Sequence, residues 1–176
     1  PEPLIGDVIE VNATIANFGS REGSTIVEFY DSKDVNIMRT LEDYERLGKN
    51  KIKDVIKIPA HRIRVHFSYV EGFVKILDGN NTEVEALMSS KDIWTKWVSG
   101  DIIQIESQWA EFMIDKYEAV IESRNISISA KSCENISAKW DLSDQYMGHI
   151  FLGTHNLTVK VDPYNDIDEL DEENNT

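Results

Sequence analysis

The residues of this chain best suited to bind a metal lie near its C-terminus. Between Asp162 and Glu173 the sequence has seven acidic residues and no basic one. Calcium takes about six to eight oxygen ligands, which carboxylate and amide side chains supply. The residues that could supply them are Asp162, Asn165, Asp166, Asp168 and Glu173. An EF-hand is excluded because Ile167 stands where that loop needs glycine. The alternative is a solvated acidic turn, so calcium is the one cofactor to consider, and otherwise none is expected.

Six Asn-x-Ser/Thr triplets make the chain a candidate for N-glycosylation. The asparagines are Asn12, Asn80, Asn125, Asn135, Asn156 and Asn174, and none is followed by proline. This acceptor triplet implies a surface position in an exported protein. Four of the asparagines lie in segments of alternating polarity, on the polar side. The alternative is chance, since a polar asparagine faces outward in any case.

Two neighbouring tryptophans could contact a carbohydrate. Trp94 and Trp97 flank Thr95 and Lys96 in a predicted loop, and flat aromatic faces can stack on sugar rings as they stack on other apolar faces. The alternative is that both rings belong to the core, as we expect of Trp140 on its strand. Glycans are therefore one class of expected partner.

Catalytic motifs are missing from the sequence. It has no Gly-x-Ser-x-Gly elbow, no glycine-rich phosphate loop and no His-Glu-x-x-His. The four histidines lack zinc spacing, and the single cysteine, Cys133, has no histidine near it in the sequence. With 32 acidic residues, carboxylate pairs arise by accident, so we predict that the protein is not an enzyme.

The net charge restricts the partners. The formal charge is −14, and such a protein repels nucleic acid and anionic lipid. One cysteine allows no internal disulfide. No apolar run approaches the roughly 18 residues of a membrane span, so no membrane insertion is expected. Since no signal peptide is visible, we expect a mature fragment or a domain of a longer protein.

Composition and periodicity both predict an all-β fold. The chain has 21 Ile and 13 Val but 9 Leu, and Cβ branching favours strands. "DVIEVNATIANFG" alternates apolar and polar residues, as does "TIVEFYD", and we predict that these two segments form a hairpin. "RNISISAK" and "ENISAKW" are expected to pair with each other. "TLEDYERLG" could be a helical turn. About ten short strands suggest one or two β-sandwiches.

Two separated stretches resemble CARDB domains, the cell-adhesion-related domains of bacterial and archaeal surface proteins. "GDVIEVNATIANFGSREGSTIVEFYD" is similar to the opening of that family. "ISISAKSCENISAKW" and "GTHNLTVKVDPYNDIDELDEENNT" are similar to its second half, with the motif Asp-Pro-x-Asn-x-Ile-x-Glu near the end. The resemblance covers residues 1–33 and 123–176. It implies an immunoglobulin-like sandwich without chemistry of its own, in which the acidic segment is folded.

Residues 34–122 resemble a CUB-like sandwich inserted between these halves. "IPAHRIRVHFSYVEGFVKILDGNN", "DIWTKWVSGDIIQIES" and "FMIDKYEA" carry that resemblance, including a strand that ends at Asp78 and Gly79 and another that begins after Gly100 and Asp101. Disulfides typical of animal CUB domains are impossible with one cysteine. Gly72 replaces an aspartate expected in the family's calcium site.

The sequence therefore predicts an immunoglobulin-like β-sandwich with a second β-sandwich inserted, in an archaeal or bacterial glycoprotein of the cell surface. Its expected work is spacing, display or adhesion, through contact with other surface proteins or with neighbouring domains. The alternative function is a carbohydrate-binding module that uses Trp94 and Trp97.

Overall fold

A computed structural model describes residues 7–141 and 153–164, and the fold is all-β with one short helix. The strands are β1 Val8–Asn17, β2 Gly23–Arg39, β3 Ile52–Lys57, β4 Arg62–Asp78, β5 Glu83–Met88, β6 Lys91–Trp94, β7 Val98–Ser99, β8 Ile102–Ile128, β9 Ser132–Asp141 and β10 Asn156–Val161, and the helix is α1 Leu41–Leu47. Every strand pair is antiparallel. In the described ranges, no helix is long and apolar enough to cross a membrane.

A two-layer sandwich forms around the first of two apolar cores, which we call the host core. The sheet β1–β9 provides one layer, and β10, β2 and the C-terminal part of β8 provide the other. Alternation along each strand directs one set of apolar side chains inward. The buried members of the host core are Val27, Phe29, Ile121, Ile126, Ile128, Ile136, Ala138 and Trp140.

The larger sheet continues past the sandwich and encloses a second core, the inserted core. β2 and β8 have 17 and 27 residues and run without interruption from one core to the other. β4 pairs with β8 along nearly its whole length, while β3 adds to β8 and β5, β6 and β7 add to β4. The inserted core contains seventeen buried residues, which extend along the sequence from Ile56 to Ala119.

Bulges bend the β4–β8 pair. The register shifts three times, the last time between Glu71 and Phe73. Gly72 has φ +98°, and a Cβ atom there would lie 3.1 Å from Ala110, so glycine is required both for the dihedral angle and for the close approach. Trp109 has φ +47°, which is unusual for a bulky residue. The bulge therefore holds its side chains in fixed directions.

The predicted helical turn is helix α1. Thr40 and Asp43 form a capping box at its start, and Gly48 ends it with φ +63°. Tyr44 is buried, and its hydroxyl donates to Ser107 Oγ at 2.6 Å. The helix therefore covers part of β8 where β2 ends and β3 begins.

The structure corrects two predicted strand pairings. β1 and β2 do not form a hairpin, because β1 pairs with β9 while β2 pairs with β8 and β10. "RNISISAK" and "ENISAKW" also lie in opposite sheets. Alternation tells which face of a strand is buried but not which strand lies beside it. The connections from β1 to β2 and from β8 to β9 each cross from one sheet to the other, as connections in β-sandwiches commonly do.

The predicted domain boundaries fall inside strands. Residues 33 and 34 are consecutive in β2, and residues 122 and 123 are consecutive in β8. A bulge lies beside the second boundary, where Phe29 pairs with Glu122 and Tyr30 with Val120. The division into 1–33 with 123–176 and 34–122 stays a prediction, although the two cores lie on either side of it.

Candidate functional site: the polar junction between the two cores

A buried polar layer separates the host core from the inserted core on the inner side of β2. The inward row of that strand has apolar residues at both ends, from Phe29 on one side and Val35 on the other. Between them lie Asp31, which is 0% exposed, and Lys33, which is also buried. Ionisable groups are rarely buried unless they are paired, so this break in the apolar pattern needs partners from other strands.

Asp31 is the centre of the inner network. Its carboxylate accepts a hydrogen bond from the Tyr117 hydroxyl at 2.8 Å and lies 2.9 Å from His155 Nδ1. The imidazole of His155 packs edge-on against Trp140, with 4.8 Å between ring centroids. Tyr117 belongs to the inserted core and Trp140 to the host core. The network therefore joins the two cores directly.

Burial sets the titration of two groups in this network. Desolvation, followed by the charge of Asp31, raises the pKa of Tyr117 well above its ordinary value. Desolvation lowers the pKa of Lys33, and the nearby Asp31 carboxylate partly opposes that change. Tyr117 therefore stays a neutral hydrogen-bond donor to Asp31 at neutral pH.

A second network lies on the outer side of the same sheet, centred on Glu28. This carboxylate is 2% exposed. It accepts hydrogen bonds from Arg62 Nη2 at 2.6 Å and from the Tyr164 hydroxyl at 3.0 Å. Tyr30 and Ser123 also donate to it. Desolvation and then the Glu28 carboxylate raise the pKa of Tyr30. The five residues come from β2, β4, β8 and the turn after β10.

A ladder of aromatic rings and cations covers this outer network. The Arg64 guanidinium lies 4.6 Å from the ring centroids of both Trp94 and Trp97. The Arg62 guanidinium lies 4.8 Å from Trp97 and 5.6 Å from Tyr164. Such cation–π contacts contribute about 0.5–2 kcal/mol each, depending on solvation. The ladder therefore helps to hold the segment between β6 and β7 against the sheet.

This ladder places the two tryptophans differently from the expected free loop. Trp94 ends strand β6, and Trp97 directly precedes β7. Both are half-buried, and Trp97 lies close to two guanidinium groups. Contact of Trp94 and Trp97 with a carbohydrate stays a prediction, and each ring already has an arginine guanidinium close to it. Trp109 is more open, at 46% exposure, with its ring stacked on Tyr44.

The candidate glycosylation sites are exposed wherever the structure describes them. Asn12, Asn80, Asn125, Asn135 and Asn156 all have exposed side chains, and Asn174 lies outside the described residues. On the β1–β9 sheet two triplets face each other, since Asn12 pairs with Ser137 and Thr14 with Asn135. Thr14 Oγ1 donates to Asn135 Oδ1 at 2.6 Å. Glycosylation of any of the six stays a prediction.

The predicted calcium ligands lie mostly outside the described residues. Asn165, Asp166, Asp168 and Glu173 are not described. Asp162 is buried with φ +49°, and its N–H donates to Ile26 O at 2.9 Å. Among residues 7–141 and 153–164, no three His, Cys, Asp or Glu side chains group as metal ligands would. Calcium in the acidic segment stays a prediction.

Sequence reasoning missed the junction, although one signal was present. "EFYDSKDV" has Asp31 and Lys33 at the inward positions of an alternating strand, which conflicts with burial unless a polar partner is near. The partners Tyr117 and His155 are 86 and 124 residues away from Asp31 in sequence. Only the register of β2 with β8 and β10 brings them together.

Comparison with known proteins supports part of the family resemblance. A CARDB family model matches residues 103–176, which include all of β9 and β10 and nearly all of β8. The second half of the chain is therefore similar to a family of cell-adhesion-related surface modules. The matched region extends about twenty residues into the stretch predicted to be inserted. No curated protein and no solved structure matches the chain, so the CUB-like resemblance of residues 34–122 is not confirmed.

Proposed function

We propose that the chain is a non-catalytic, extracellular module of a larger archaeal or bacterial surface protein, in which a CARDB-like host part holds a CUB-like inserted part for display and contact. The CARDB match over residues 103–176 supports the surface setting. The partners are other surface proteins or neighbouring domains, and N-glycans on the exposed asparagines would lie on the outer faces.

The observation that carries this proposal is the topology. β1 begins and β10 ends in the host part, whereas β2 leaves the host part and β8 returns to it. Residues 34–122 are thus joined to the host part through the two strands β2 and β8. A part attached in this way is suited to presentation, because the sandwich of the host part is built from segments on either side of it in the sequence.

The junction supports display by fixing the inserted part. Two buried networks lie on opposite faces of the sheet, around Asp31 and Glu28, and each combines residues from both parts. Paired polar networks rigidify a core, and both carboxylates are paired, although among the described residues Arg62 Nε is buried without a hydrogen-bond partner. Both carboxylates accept hydrogen bonds from their neighbours and are almost fully buried. A structural role therefore suits them better than catalysis.

Antibody labelling of intact cells tests the surface location. A short epitope inserted after Lys49, in the exposed turn between α1 and β3, leaves both networks untouched. We expect that intact cells of the source organism are labelled to the same extent as permeabilised cells. A cytoplasmic protein with the same epitope serves as the control. Labelling that appears only after permeabilisation would refute an extracellular role.

A further inference from the structure

Residues of β4, β6 and β8 form a shallow depression on the inserted part. Its volume is about 410 Å³, and Ser68, Tyr69, Glu71, Lys91 and Glu111 line it. That volume is within the range of small-molecule sites, roughly 300–1,000 Å³. Tyr69 and Glu71 flank buried Val70 on β4, and Glu111 precedes buried Phe112 on β8, so these three side chains stand on the face of the sheet opposite to the inserted core.

Three polar groups in the depression are without partners. Within the described ranges, the Glu71 carboxylate, the Tyr69 hydroxyl and the Lys91 ammonium make no hydrogen bond or ion pair. Glu71 and Glu111 are direct cross-strand neighbours, and like charges in that position destabilise a sheet. Glu111 accepts the N–H of Leu41 at 3.2 Å through one oxygen. The pair of glutamates therefore costs some stability, and the three exposed or half-buried groups beside each other are open to a ligand.

The bulge sets the backbone positions of the two glutamates. The backbones of Gly72 and Ala110 approach each other closely. Glu71 directly precedes Gly72, and Glu111 directly follows Ala110. Trp109, with its positive φ, is two residues before Glu111. Bulges commonly lie beside binding sites, where they aim a side chain, and backbone strain of this kind tends to occur at functional positions.

We propose that this depression binds a neutral sugar residue. Two carboxylates can accept hydrogen bonds from hydroxyl groups, the Lys91 ammonium can donate one, and the ring of Tyr69 offers an apolar face. Two negative charges disfavour phosphorylated or carboxylated ligands. A divalent cation would lack a third protein ligand, because no such group of three exists among the described residues. A neutral polyhydroxylated ligand could interact with both carboxylates, the Lys91 ammonium and the Tyr69 ring.

This inference moves carbohydrate recognition from Trp94 and Trp97 to the depression. Its biological meaning rests on the proposed surface display, since an extracellular module would meet cell-wall or surface glycans. The binding itself does not depend on location. A purified chain that binds sugar but is not found outside the cell would overturn only the proposed function, and an exposed chain that binds no sugar would overturn only this inference.

NMR titration of the whole ¹⁵N-labelled chain tests the binding. The probes are methyl glycosides of mannose, glucose and galactose and their linear trisaccharides, added to tens of millimolar in EDTA buffer. We expect saturable amide shifts centred on Ser68 to Glu71, Lys91 and Glu111 for at least one probe, with millimolar Kd. Absence of saturable shifts with every probe, or shifts centred on Trp94 and Trp97, would overturn the proposal.

Variants separate the site from general effects. Glu71→Gln keeps the side-chain shape and Tyr69→Ala removes the ring, and each should weaken binding at least about tenfold, as loss of a charge-assisted hydrogen bond or an aromatic contact does. Glu10→Gln removes an exposed charge from β1 and should bind like the unmodified chain. If Tyr69→Ala does not fold, Glu71→Gln alone decides. Equal Kd values for Glu71→Gln and the unmodified chain would overturn the site, and shifts produced by calcium chloride alone, with none for any sugar, would replace it with a cation site.

Discussion

Removing Arg62 should destabilise the protein more than removing the charge of its partner. In Arg62→Met, the Glu28 carboxylate stays 2% exposed with only hydroxyl donors from Tyr30, Ser123 and Tyr164. Leaving a buried charge without its counter-ion costs about 3–5 kcal/mol. Because the three hydroxyls still donate, we expect the lower end, about 3 kcal/mol. For a domain of this size that lowers Tm by about 6–12 °C.

The change Glu28→Gln leaves the Arg62 guanidinium, rather than a carboxylate, without its counter-ion. The side chain of Arg62 is 24% exposed, so water can solvate the guanidinium that loses its partner. The loss is then that of charge-assisted hydrogen bonds, about 1.5–3 kcal/mol. The order Arg62→Met greater than Glu28→Gln follows from the difference in burial. In the double variant the costs should be clearly less than additive, because both changes remove the same interaction.

Urea and thermal unfolding, followed by circular dichroism, measure these differences. Arg124→Met is the matched control, since Arg124 is an exposed partner of Glu122 at 3.5 Å and its loss should cost less than about 0.5 kcal/mol. Hydrogen exchange adds a second readout, in which Arg62→Met should lower protection in peptides of both cores. If Glu28→Gln costs as much as Arg62→Met, or if both variants match the control, the burial argument for the junction is wrong.

Two further predictions concern ionisation and calcium. Of the six tyrosines, Tyr30 and Tyr117 have a raised pKa in the folded state, so their contribution to stability is fully present below about pH 10, the unfolded pKa, and is lost as the pH rises further. Ultraviolet titration should find that these two phenols ionise only when the protein unfolds. The stability of the Tyr117→Phe variant should fall less at alkaline pH than that of the unmodified chain. Ionisation of all six tyrosines near pH 10 without unfolding would contradict this. Melts in EDTA and in millimolar calcium test the predicted calcium site: a rise in Tm of several degrees would establish it in the acidic segment, whereas coincident melts would leave that segment as a solvated acidic turn.

Much of the secondary structure was predictable because alternating apolar and polar residues indicate a strand. The period of two predicts β1 and the first part of β2, and the segment that forms α1 is recognisable as a helical turn. The pairing of β1 with β9 was not predictable, since any two alternating strands can pair equally well in sequence. The length of β8 was not predictable either, since bulges let one strand continue from Ile102 to Ile128 where short strands are expected.

The candidate sites were less predictable than the strands. Asp31 and Lys33 were visible as polar residues at inward positions, but their partners depended on register. Trp94 and Trp97 were noticed as exposed aromatic residues, while the arginines beside them come from β4, about thirty residues earlier. Tyr69, Glu71 and Glu111 carry no sequence motif at all. Their convergence follows from the bulge at Gly72, which sequence alone would suggest only as a glycine within a strand.

The continuity of β2 and β8 decides how the two parts can move. Domains that move independently are usually joined by exposed, flexible linkers crossed by few contacts. In this protein the connection is a pair of hydrogen-bonded strands, with a buried polar network on each face at the point of crossing. Rotation of one part against the other would break the backbone hydrogen bonds between β2 and β8 and would expose Asp31 and Glu28 without their partners. The two cores are therefore held at a fixed angle to each other, and a ligand bound at Tyr69 and Glu71 would keep a fixed position relative to the host core.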